Sequence, residues 1–269
     1  MPEPPTSRCG GGARARPLGA LVAKLAPVPP ERVSLGDSRL DGALRGGLPR
    51  ATLHEILAEE AGDLGAAHGF ALGLAARLSG RRARVLWIQD EPAAREDGTP
   101  YGPGLAGHGL DPEQLLVVRV GEPRLALWAM EQGLRCKALG VVIGEIAGLP
   151  ALYDLTASRR LVLAAREGGV TGLLVHAAVG GMDKTLSSAA WTRWRIAAHP
   201  SRPGEAGTPG DPAWRVRLAR SRDGVEAGWT VEWSHDARAF QTLPGGDLAD
   251  LGHGSSPPER PALRRAGGV

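Results

Sequence analysis

Between a strand-like run and a helix-like run lies Ala58-Glu59-Glu60-Ala61-Gly62-Asp63-Leu64-Gly65, the position at which many α/β domains grip phosphate. Such a loop works when its backbone N–H groups wrap the phosphates, a lysine meets the β- and γ-phosphates, and a Ser or Thr hydroxyl holds Mg²⁺. This loop has no lysine and no Gly-Lys-Ser/Thr. It offers Glu59, Glu60 and Asp63 around Gly62 and Gly65, and three carboxylates repel a polyphosphate. The loop is a degenerate phosphate site, and the expectation is no catalysis, no nucleotide cofactor and no metal. A second Lys-Thr pair, in Gly180-Gly181-Met182-Asp183-Lys184-Thr185, is a decoy. Asp183 stands where a glycine would let the backbone close on phosphate, and a flexible surface loop is the expectation.

Other chemistry is concentrated near the C-terminus. Arg193, Arg195, Arg202, Arg215, Arg217, Arg220 and Arg222 face only Glu205 and Asp211 within residues 191–222, beside Trp191, Trp194 and Trp214. Alternation along a strand puts Arg193 and Arg195 on one face with Trp191, and Arg215 and Arg217 opposite Trp214, Val216 and Leu218. Two such strands side by side would present arginines to phosphates and aromatic surface to bases. The alternative is the ordinary exposed face of an edge sheet in an arginine-biased chain, with tryptophan as core; only Lys24, Lys137 and Lys184 are lysines. A net charge of +3 does not decide between them. The seven histidines show no metal-ligand spacing, and His54 and His176, inside strand-like runs, suit hydrogen-bonded near-core positions. Cys9 and Cys136 form no disulfide framework.

The elements that must position these residues alternate along the middle of the chain. Leu53–Ala58, Val85–Gln89, Leu115–Val120, Val141–Ile146 and Thr171–His176 are apolar runs of strand length with little alternation, as in strands buried on both faces. Ala66–Leu78, Arg124–Leu134 and Leu152–Arg166 separate them as helices. That order predicts an α/β fold with a mostly parallel twisted sheet flanked by helices. Trp191–Ala198, Trp214–Ser221 and Trp229–Ser234 alternate instead, with a turn at Arg222-Asp223-Gly224, and predict antiparallel strands appended at the C-terminal edge. Residues 1–30 are a Pro/Gly/Arg-rich tail, 31–240 one domain, and 241–269 a second tail in which Leu243, Leu248 and Leu251 could dock as a short helix. Neither a signal-peptide stretch nor a run of about 20 apolar residues occurs, so a cytoplasmic protein without membrane contact is expected.

Leu40-Asp41-Gly42-Ala43-Leu44-Arg45-Gly46-Gly47-Leu48-Pro49-Arg50, followed by Leu53-His54-Glu55-Ile56, resembles the start of the RecA recombinase core. Tyr101-Gly102-Pro103-Gly104-Leu105, Ala126-Leu127-Trp128-Ala129-Met130-Glu131, Asp154-Leu155-Thr156-Ala157-Ser158-Arg159-Arg160-Leu161, Thr192-Arg193-Trp194-Arg195 and Trp229-Thr230-Val231-Glu232-Trp233 narrow the resemblance to the ImuA proteins, RecA-like factors of bacterial damage-induced mutagenesis. Their combined order over some 180 residues carries it; each segment alone is weak.

The resemblance implies a RecA-like core and a partner role in SOS-induced translesion synthesis. The partners would be a Y-family polymerase relative that has lost catalytic residues and an error-prone replicative-type polymerase, with DNA and RecA as further candidate contacts. It gives Glu91 as the counterpart of a water-activating carboxylate. Glu145 stands one residue out of register with a Mg²⁺-facing carboxylate. Without phosphate ligands both are vestigial. Lys184 falls in the stretch that faces DNA in RecA, which makes it, with Arg193, Arg195, Arg215, Arg217, Arg220 and Arg222, a candidate DNA contact. Two competing functions stay open: a SulA-like cell-division inhibitor that binds the division GTPase, and an ATPase with an unusual phosphate loop.

Overall fold

The computed structural model describes residues 30–80, 84–146, 152–177, 187–204, 208 and 210–247. The chain enters through a small antiparallel ribbon, β1 (Arg32–Val33) with β2 (Leu48–Pro49), around helix α1 (Ser38–Ala43). Asp37 caps α1 by accepting the N–H groups of Arg39 and Leu40. The turn out of α1 has positive φ at Arg45, Gly46 and Gly47, and a Cβ on Gly47 would sit 2.2 Å from the Val33 carbonyl oxygen. Only glycine fits that crossing.

The core follows as β3 (Leu53–Ala58), a 3₁₀ turn (Ala61–Asp63), α2 (Leu64–Ser79), β4 (Val85–Asp90), α3 (Glu91–Asp97), α4 (Gly102–Gly107), β5 (Leu115–Val120), α5 (Pro123–Arg135), β6 (Val141–Glu145), α6 (Leu155–Gly168) and β7 (Thr171–Ala177). It ends in β8 (Thr192–His199), β9 (Ala213–Ser221), β10 (Ala227–Ser234) and β11 (Ala239–Asp247). Among the described residues nine strands form one sheet in the order β11-β10-β9-β8-β3-β7-β6-β4-β5. From β8 to β5 every pairing is parallel; β8, β9, β10 and β11 pair antiparallel. This is the expected α/β architecture.

Helix signals act where the sequence supplies them. Pro123 occupies the first turn of α5, and Ala126, Met130 and Leu134 repeat at four-residue spacing on its buried face. Asp154 caps α6 through the Ala157 N–H, and Gly169 ends it in the left-handed conformation. One apolar layer lies between α2 and the sheet, around Ile56, Phe70, Leu74, Ile143, Trp194 and Trp233. The other lies under α5 and α6, around Leu53, Met130, Leu134, Val142, Leu161 and Leu174.

Two expectations need correcting. The ordered fold continues past residue 240, because β11 carries Phe240 into contact with Phe70, Trp214 and Trp233 at ring separations of 5.1, 6.1 and 5.0 Å. The Thr242 N–H bonds to Asp37, and Leu243 is buried in the strand. Leu243 therefore belongs to the sheet and not to a docking helix, while Leu248 and Leu251 lie outside the described residues. Second, β5 is the sheet edge, so Leu116, Val117 and Val118 are 52%, 43% and 38% exposed where an apolar run suggested a doubly covered strand. No helix among the described residues is long and apolar enough to cross a membrane.

Candidate functional site

The C-terminal ends of parallel strands are where open α/β sheets place their ligands. Here the acidic loop leaves the end of β3 and is bound to the neighbouring strand. The Glu59 N–H donates to the Ile196 carbonyl at 2.7 Å. The Glu59 carboxylate accepts from Arg195 at 2.8 Å and lies 4.0 Å from Arg217. Asp63 accepts the Ala198 N–H at 3.0 Å through one oxygen and the Glu60 N–H at 3.3 Å through the other. Its own N–H turns back to the Glu60 carbonyl. The loop thus spends its acids and several of its N–H donors on β8 and on itself. Glu60 is exposed, and Gly62 and Gly65 have open space where a Cβ would stand.

One register step below, a charged pair is sealed in the sheet. Glu55 on β3 lies beside Arg193 on β8, and its carboxylate accepts from Arg193 Nε at 2.6 Å and from the Tyr153 hydroxyl at 2.7 Å. Arg193 also donates to Ser188 Oγ at 3.3 Å. Both partners are buried, so the pair is compensated by hydrogen bonds on several sides, as a buried ion pair requires. Burial and the Glu55 charge push the Tyr153 hydroxyl well above its ordinary pKa, and it stays a donor. On the other face, His54 Nε2 lies 2.9 Å from the Pro49 carbonyl and Nδ1 2.7 Å from Thr192 Oγ1. A carbonyl only accepts, so Nε2 carries the proton and Nδ1 accepts from the threonine hydroxyl. Burial pushes the His54 pKa down to about 4, and the ring is neutral, the near-core role its strand position suggested.

Glu145 ends β6 as a buried carboxylate. It accepts from Trp87 Nε1 at 3.0 Å and Gln89 Nε2 at 2.8 Å, and one of its oxygens lies 3.3 Å from His68 Nε2 on α2. Burial alone would raise its pKa, but His68 and these donors hold it below the usual carboxylate value. Asp97, at the end of α3, is pushed up to about 6 by burial and by the Glu145 charge. Glu91 is not part of this cluster: it is exposed and paired with Arg95 one turn on at 2.7 Å. Asp90 instead is the buried end of β4 and caps α3 through the Ala93 N–H at 2.8 Å. No group of three or more His, Cys, Asp or Glu among the described residues could hold a metal ion.

The arginine set divides. Strand parity holds, since Arg195 lies opposite Arg217 and Ala197 opposite Arg215 on one sheet face. The expectation of an open face is corrected at Arg193, which is buried on Glu55, and at Arg195, whose side chain is mostly covered on Glu59. Trp194 and Trp214 are core, and half-buried Trp191 has the guanidiniums of Arg32 and Arg222 over its ring, each 5.8 Å from the centroid. Trp194 and Trp214 are closed to base stacking, and the two arginines already occupy the ring of Trp191. Arg220 donates to the Ser188 and Ala190 carbonyls and Arg222 to the Ala189 carbonyl. Burial lowers the Arg222 pKa, and so do the charges of Arg166, Arg220 and Arg159: these four are one positive cluster. Arg215 is exposed and Arg217 half-exposed. Lys184 lies outside the described residues.

With this geometry in place, known proteins give a clear match, although no family model matches the chain. It is similar to "Protein ImuA" of Caulobacter vibrioides, 35% identical over 235 residues that cover 81% of this chain and 90% of the relative. The same figures hold for strain NA1000 / CB15N and strain ATCC 19089 / CIP 103742 / CB 15. The chain belongs to the ImuA family.

In this ImuA-family chain the sequence pointed to the loop but not to what closes it. Glu55 was missed; the signal that could have found it is a charge inside an apolar strand run, which burial forces to find a partner. Its partner lies 138 positions away and is fixed by the β3–β8 register. His68, Gln89 and Asp97 meet Glu145 only because α2, β4 and α3 converge at one end of the sheet.

Proposed function

We propose that this ImuA-family protein is a non-catalytic, RecA-like accessory factor of SOS-induced error-prone translesion DNA synthesis in the cytoplasm. It scaffolds a Y-family polymerase-like partner and an error-prone replicative-type polymerase. The observation that carries this reading is the loop after β3. At the fold's ligand position, Glu59 and Asp63 occupy Arg195 and the Ala198 N–H, and the groups that would meet a phosphate meet the protein's own carboxylates. A polyphosphate entering there would face Glu60 and displace two internal contacts. Assembly then takes the place of nucleotide chemistry, and the apolar edge strand β5 is surface of the kind that partners cover. DNA contact, where it occurs, rests on Arg159, Arg166, Arg215 and Arg222 more than on the sealed Arg193.

The test is genetic. Deleting the gene should abolish most ultraviolet-induced mutation, and expression of the intact protein should restore it. The tagged protein from damaged cells should carry both polymerase-like partners. Undiminished induced mutation in the deletion strain would overturn the proposal; filamentation on overexpression without any mutagenesis defect would point to the division-inhibitor alternative.

A further inference from the structure

The space between helices α5 and α6 is used by none of the roles above. A groove of about 340 Å³ runs between the two helices, at the lower end of the ~300–1,000 Å³ of ligand pockets and of a size for one or two apolar side chains. Leu127, Leu152, Ala157 and Leu161 line it together with Trp128, Glu131 and two arginines, Arg124 and Arg160. Trp128 is 58% exposed, and Leu125, one turn before it, 47%. Exposed tryptophan beside arginine is the composition of an interface hot spot.

The charges define the occupant. Glu131 is the acid of the groove; it is buried and already paired with Arg135 at 2.8 Å and with Arg160. Asp154 is spent on the α6 cap. Arg124, exposed, has no acidic partner among the described residues, and Arg160 stays 61% exposed despite its contact with Glu131. Glu122 is the other nearby acid, the N-cap of α5 without a side-chain capping bond. The mouth is therefore cationic and the interior apolar. A nucleic acid fits poorly, because the space beside the arginines is lined by Leu127, Leu152 and Leu161, where sugar and phosphate would lose water without gaining a hydrogen-bond partner.

We infer that the α5/α6 groove is a docking site for a short acidic–hydrophobic segment of a partner protein. An aliphatic or aromatic anchor fills the space between Leu127, Leu152 and Leu161, and flanking carboxylates meet Arg124 and Arg160. The inference stands whichever pathway the protein serves.

The experiment is fluorescence polarisation of the full-length chain with a fluorescein-labelled peptide of Leu-Phe pairs set between Asp-Glu pairs. Saturable binding with a Kd on the order of 10–100 µM is expected. Arg124→Glu and Trp128→Ala, both at exposed positions, should each weaken it by about tenfold or more. Leu163→Ala, exposed on α6 but outside the groove, should leave it unchanged. A probe with Lys in place of its acids should bind Arg124→Glu better than it binds the unaltered protein. Absence of saturation near ~1 mM, or equal binding by all variants, overturns the inference. Displacement of the peptide by a thymidine oligonucleotide would overturn it in favour of a nucleic-acid groove. A concentration-dependent dimer lost in Trp128→Ala would overturn it in favour of a second copy of the chain.

Discussion

Glu55 and Arg193 are the most consequential side chains of the sheet, because each makes the other tolerable. Removing one partner of a buried pair leaves an uncompensated charge and costs about 3–5 kcal/mol, whereas replacing both by apolar groups of similar volume can be nearly neutral. Arg193→Met or Glu55→Gln should therefore destabilise strongly in urea unfolding, and the double variant Glu55→Leu, Arg193→Met should recover most of the loss. His54 gives a residue-level pH dependence. Its folded pKa, near 4, lies below the ordinary histidine value of 6.5, so the unfolded chain takes up the proton first as pH falls. Its stabilising contribution is complete above about pH 6.5 and is lost between there and pH 4, up to about 3 kcal/mol. Asp97, raised to about 6, works in the opposite sense, losing its contribution as pH rises through that value. The difference between the protein and His54→Asn isolates the histidine: urea midpoints at pH 7 and pH 5 should differ less in the variant. At this scale the sequence grouped Arg193 with Arg195 and left Glu55 without a role of its own. That Tyr153 and Ser188 close over Arg193 follows from tertiary packing of segments far apart in the chain.

Elements were far more legible than their surroundings. The apolar runs and the alternating C-terminal runs correspond to strands within a residue or two, since periodicity is a local property. Sheet order is not local, and Leu115–Val120 was consequently expected to be covered when it forms the edge. The turn that reverses the chain at Arg238, with positive φ, and the strand β11 after it were missed because residues 241–247 are rich in glycine and carry a proline. At the junction of α5 and α6, a Cβ on Gly168 would stand 2.0 Å from the Leu134 carbonyl oxygen and 2.9 Å from the Arg135 carbonyl carbon. Both are backbone atoms at the end of α5, so the contact cannot be relieved by a rotamer change. Gly168→Ala should push the helices apart at a cost of about 1–3 kcal/mol, read as a fall in Tm of about 2–10 °C. An unchanged Tm would mean that α6 does not pass so close to α5.

At the scale of the molecule, one continuous sheet joins a parallel half, which in such folds serves ligands at its strand ends, to an antiparallel half that supplies Arg195 and Arg217 to the loop. The architecture accounts for the pairing of the loop with its neighbour that the proposed function builds on: β8 lies beside β3, and Arg195 is within reach of Glu59. Calorimetric titration of the full chain with Mg-ATP tests this account most directly, paired with a thermal shift at the same concentrations. The account predicts no saturable heat and no rise in Tm up to about 5 mM nucleotide, a level that would stabilise the protein by about 2.7 kcal/mol if it were a hundred times the Kd. Saturable binding, with a Tm that climbs with nucleotide concentration, would contradict it.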